Sequence, residues 1–140
     1  MGGVKQFLIS YVATGVVFLA IDAVWLGVVA KTLYRRELGS LLLDNYRLAP
    51  AAIFYLLYVL GVVVLAVLPA FTADRWTTAL LNGALLGLVA YATYDLTNQA
   101  TLRDWPSVIT LVDLAWGTVL TAVSATAGYL VAAAVLRWTA

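Results

Sequence analysis

Three carboxylates lie where an apolar chain should carry hydrocarbon: Asp22, Asp95 and Asp113. Around Asp95 runs Tyr91-Ala92-Thr93-Tyr94-Asp95-Leu96-Thr97-Asn98, a cluster of phenols, a carboxylate and an amide at the end of an otherwise lipid-soluble segment. Burying such groups unpaired in a bilayer costs several kcal/mol, so they must be paired, hydrated or used. Their chemistry is restricted by what the sequence lacks. There is no Cys and no His among 140 residues. Thiol catalysis, disulfides and the commonest metal and haem ligand are therefore excluded, and no metal or other cofactor is expected. Proton transfer falls to Asp, Glu, Tyr, Lys or water, and paired carboxylates can run acid–base chemistry when their environments differ.

Helical spacing decides what shares a face with each acid. Gly83, Gly87, Tyr91, Asp95 and Asn98 recur at steps of four and three, as do Thr110, Asp113, Gly117, Thr121, Ser124 and Gly128. Tyr11, Gly15, Phe18, Asp22 and Trp25 form a third stripe, and Tyr55 and Tyr58 lie one turn apart. The glycines predict close helix–helix approach. Ile21-Asp22-Ala23-Val24-Trp25 echoes Val112-Asp113-Leu114-Ala115-Trp116, so each acid has a tryptophan one turn away whose indole N–H can reach a carboxylate. Thr121 and Ser124 are expected to bond back to their own helix carbonyls. Asn82 lies off the Asp95 face and marks a second contact or an oligomer interface.

These residues need helices to hold them. The chain is 64% hydrophobic and 11% charged, with a mean hydropathy of +0.99; a soluble domain is about half apolar and a quarter charged. Four segments are long enough to span a bilayer, at roughly 4–33, 49–68, 76–99 and 107–137. The expected fold is all-α, one polytopic membrane bundle of four transmembrane helices. Pro50 and Pro106 fall at helix starts, Pro69 closes the second span, and Trp76, Trp105 and Trp138 mark span ends. The stretch from Tyr34 to Arg47 reads as a link carrying a short interfacial helix or a plain charged connector.

Antiparallel spans put both termini on one face, A, and the one–two and three–four links on the other, B. At 1.5 Å per residue, Asp22, Asp113 and Asp95 lie roughly 13, 9 and 6 Å from the B end of their helices. A shared site between helices one, three and four accounts for this coincidence. Its candidate residues are Asp22, Trp25, Tyr91, Tyr94, Asp95, Asn98, Asp113 and Trp116, with Arg47 and Arg103 as ion-pair partners. Three such acids cannot all stay ionised without cations, so at least one is expected to carry a proton. Cations number five on face B against four on face A, counting the terminal amine, which leaves the orientation open.

Three blocks extend the argument: Asp22-Ala23-Val24-Trp25-Leu26; the long run from Tyr94-Asp95-Leu96-Thr97-Asn98 through Gln99 and Arg103-Asp104-Trp105-Pro106; and Val112-Asp113-Leu114-Ala115-Trp116-Gly117. Together they resemble the small bacterial membrane proteins catalogued as domain of unknown function 2177. The resemblance implies a multi-pass protein of the bacterial inner membrane and carries no activity with it. Three functions fit the residues. The first is binding or transport of a small amphipathic molecule, with a homodimer expected. The others are carboxylate acid–base catalysis on a lipid or isoprenoid, and a structural subunit of a membrane complex. A net charge of +1 without a basic run argues against nucleic acid.

Overall fold

The computed structural model describes residues 2–139. Four helices are long and apolar enough to cross a membrane: α1 (Gly3–Leu41), α2 (Leu48–Ala73), α3 (Trp76–Thr101) and α4 (Ser107–Trp138). The chain is thus all-α with a multi-pass architecture, as its hydropathy requires. Lys5 Nζ donates to the carbonyl of Thr139 at 3.0 Å, which ties the two ends of the chain together on face A.

The lipid and core faces separate by helical period. Val4, Leu8, Val12, Val16 and Leu19 form an exposed stripe on α1, and Ser10, Thr14, Phe18 and Asp22 form a buried one. The buried stripe is one residue out of phase with the expected Tyr11 and Gly15, which are only half-buried. Tyr11 instead turns sideways and donates to the carbonyl of Leu56 on α2 at 2.8 Å.

α4 lies between α3 and α1. On one side, a Cβ on Gly83 would stand 2.9 Å from both Ala125 Cβ and the Thr121 carbonyl, and one on Gly87 would collide with the Gly117 carbonyl. On the other side, Gly128 leaves room for Thr14. Only glycine permits these approaches. Helix α2 completes the bundle with Tyr58, Val59, Val62, Val63, Ala66, Val67 and Ala70. It packs on α3 almost entirely through its second half, Val63–Ala73.

Two helices depart from the expected bounds. α1 does not stop near Leu33. A π-helical turn, Leu26–Ala30, carries it into Lys31–Leu38 and a final 3-10 turn at Gly39–Leu41, where Gly39 takes φ +49°. Much of the expected link is therefore helix. α2 does not end at Pro69 either. It passes through a π turn at Val63–Val67 and continues as Leu68–Ala73. A proline removes the N–H that would bond the carbonyl four residues earlier, which here is that of Leu65. Asn82 Nδ2 on α3 supplies the missing donor at 3.0 Å. The off-face amide is thus an internal contact between α2 and α3. Asp74 and Asp104, at φ +49° and +56°, turn the chain into α3 and towards α4, a conformation that short polar side chains tolerate.

Candidate functional site

The carboxylates fall into two groups. Asp22 accepts from the Tyr55 hydroxyl on Oδ2 and from Trp116 Nε1 at 3.4 Å on Oδ1. The Trp116 indole stacks on that of Trp25, centroids 4.1 Å apart and planes 9° from parallel. The sequence echo is therefore realised across helices: the tryptophan of α4 serves the acid of α1.

The second group is Asp113 with Asp95. Asp113 Oδ1 accepts from the Tyr34 hydroxyl, and Trp25 lies beside that hydroxyl. Asp95 is fully buried, and no N–H or O–H among the described residues reaches either of its oxygens. Its neighbour is the Asp113 carboxyl, within hydrogen-bonding reach. Ionised carboxylates only accept, so this contact becomes a hydrogen bond only when a proton is held between the two.

Tyr34 was invisible to periodicity for a physical reason. At 3.6 residues per turn, twelve steps place it about 120° from Asp22. The π turn absorbs one extra residue, and eleven effective steps leave it about 20° away. Its side chain points back towards the helix N-terminus, as aromatic groups in helices do, and so reaches down into the bundle.

Tyr91 lies against Gly117, in space that a Cβ would fill. Its ring meets Tyr58 edge-on at 6.4 Å, and Tyr58 shares a 2.8 Å hydrogen bond with Thr121 Oγ1. Thr121 thus bonds across helices, not to its own backbone. Ser124 Oγ is buried with no partner among the described residues, as are the hydroxyls of Ser10 and Thr14.

A cleft of about 330 Å³ opens at Asp113, lined also by Phe54, Ala90, Tyr91 and Tyr94. It exists because the first half of α2 does not close on α3. Phe54 comes from α2, Tyr91 and Tyr94 from α3, and Asp113 is the one carboxylate in the lining. Tyr94 is largely exposed and sets its ring edge-on to Trp105 at 6.0 Å.

Of the eight expected site residues, the fold gathers Asp22, Trp25 and Trp116 in one group and Asp95 and Asp113 in the other. Tyr91 and Tyr94 line the cleft. Asn98 is half-buried beside Tyr94 and bonds none of the three acids. Arg47 and Arg103 are exposed and form no ion pair; the only ion pair among the described residues is Arg36–Glu37. Hydroxyls and an indole, not guanidinium groups, donate to Asp22 and Asp113. Spacing alone left Tyr34, Tyr55 and Phe54 out of the site. Tyr55 was recognisable as one of two tyrosines a turn apart on α2, but nothing in its spacing named Asp22 as its partner.

A family model described as a predicted membrane protein, domain of unknown function 2177, matches residues 7–130. No curated protein and no solved structure is detectably similar to the chain.

Proposed function

The chain belongs to the domain of unknown function 2177 family of membrane proteins, and for it we propose a membrane-embedded binding site for a small amphipathic molecule. The observation that carries this reading is the cleft lined by the Asp113 carboxylate, with the unsatisfied Asp95 behind it. The site is rich in acceptors. The ligand's polar end should therefore donate hydrogen bonds, as an amine or hydroxyl does, and its apolar body would lie against Phe54, Tyr91 and Tyr94. Entry is from lipid, between the first half of α2 and α3, and transport would use the same opening. We place the protein in the bacterial inner membrane. The expectation of a homodimer loses one argument, because Asn82 is occupied within the chain.

Native mass spectrometry of the detergent-purified protein tests the reading. A co-purified small molecule is expected on the wild type and absent from Asp95→Asn, which keeps the size of the side chain and removes the acid. If Asp95→Asn is unstable, or retains the molecule, the acid is structural or irrelevant and the reading fails.

A second reading has one specific support. Asp113 has a tyrosine donor and Asp95 has none, an inequality of the kind that separates an acid from a base. An enzyme acting on a lipid or isoprenoid would leave a precursor accumulating in a deletion strain, visible by lipid analysis.

A further inference from the structure

A second cleft, of about 450 Å³, has Tyr34 in its wall, where the chain folds back after the Gly39 turn. Lined by Leu26, Lys31, Tyr34, Arg35, Leu42 and Tyr46, it brings two cations, one turn apart on α1, against apolar side chains. Neither cation is in an ion pair among the described residues, whereas neighbouring Arg36 is held by Glu37 at 2.6 Å. Between Lys31 and Arg47 the cations outnumber the acids four to two, so the surface is positive. Leu26 is half-exposed and continues the lipid-facing surface of α1.

From this juxtaposition we propose that the cleft binds an anionic phospholipid, its phosphate between Lys31 and Arg35 and its acyl chains running along Leu26. Lys31 supplies a compact ammonium and Arg35 a planar fork, both suited to phosphate oxygens. A soluble anion would make no use of the apolar wall or of its continuity with the lipid-facing surface. The site shares no lining residue with the acid cleft, and it stands or falls without the reading given above.

The test is lipid titration of the full chain in neutral detergent, read by native mass spectrometry. Phosphatidylglycerol is expected to bind about 30-fold more tightly than phosphatidylcholine, the effect of two basic side chains near a membrane surface. The Lys31→Gln/Arg35→Gln variant should lose that preference. Lys31→Arg/Arg35→Lys should keep it, and Lys5→Gln/Arg137→Gln on face A should not change it. Three outcomes overturn the proposal: equal binding of the two lipids, an unchanged preference in Lys31→Gln/Arg35→Gln, or displacement of the lipid by millimolar inorganic phosphate. The last would identify a site for free phosphate.

Discussion

The hydroxyl of Tyr34 donates to the carboxylate of Asp113, joining residues 79 positions apart in the chain. One end of this bond lies beyond the point where hydropathy ends the first span, and the other is a buried acid of the last. The π turn at Leu26–Ala30 makes the meeting geometrically available. π turns are rare and concentrate where side chains are put to use.

Tyr34→Phe is expected to destabilise the protein by about 0.6–1.7 kcal/mol, the range for interhelical hydrogen bonds in membranes. Deletion of Val28, which is exposed within the π turn, should cost less. Removing the extra residue converts the turn to α-helix without moving Tyr34 around the axis. Thermal unfolding in micelles ranks the two. A deletion more damaging than Tyr34→Phe would show that the π turn does more than set the phase.

Pro69 and Asn82 should be thermodynamically coupled. Asn82→Leu leaves the Leu65 carbonyl without a donor and is expected to cost about 1–3 kcal/mol. Pro69→Ala restores the backbone N–H, so it should rescue Asn82→Leu far more than it stabilises the wild type. Equal effects of Pro69→Ala in both backgrounds would refute the coupling.

Glycine substitutions should divide sharply. Gly87→Ala and Gly117→Ala force a methyl into the Gly117 carbonyl and the Tyr91 ring respectively, whereas Gly27 has open space around it. Overpacking of this kind costs about 1–3 kcal/mol or more, so Gly87→Ala and Gly117→Ala should lower the unfolding temperature and Gly27→Ala should not.

The Trp25–Trp116 stack predicts a spectroscopic signature. Two parallel indoles 4.1 Å apart couple their transitions, and the resulting circular dichroism couplet should vanish equally in Trp25→Leu and Trp116→Leu. Trp138→Leu, at the exposed end of α4, should leave it intact.

A proton held between Asp95 and Asp113 would give a protonated-carboxyl band in infrared spectra. Either Asp95→Asn or Asp113→Asn is expected to abolish it, because a proton shared by the pair would need both carboxyls. Persistence of the band in both variants would assign it to another group.

Much of this arrangement was legible in the sequence because membrane helices expose their logic. Apolar length gave the four spans, and small-residue spacing gave the faces of α3 and α4 that meet at Gly83, Gly87 and Gly117. The two helices that carry π turns misled in proportion to the turns. Period 3.6 puts Tyr34 off the inner face, and the stretch from Tyr34 to Arg47 reads as a link carrying an interfacial helix or a plain charged connector. Pro69 read as a helix end because the donor that replaces its N–H comes from thirteen residues later, on another helix. The acids themselves stand out in the sequence as polar groups needing partners. Arg47 and Arg103 were the wrong partners because a bundle can satisfy a buried acid with hydroxyls already at its depth, without drawing a guanidinium in from the interface.

The bond from Asn82 to the Leu65 carbonyl also bears on biogenesis. When α2 emerges from the ribosome, its proline has already opened a gap in the backbone ladder, and the group that closes it has yet to be made. A lone α2 would enter lipid with that carbonyl exposed. Insertion of α2 and α3 together, as a hairpin folded at Asp74, avoids that state, so the proline couples the arrival of one helix to that of the next.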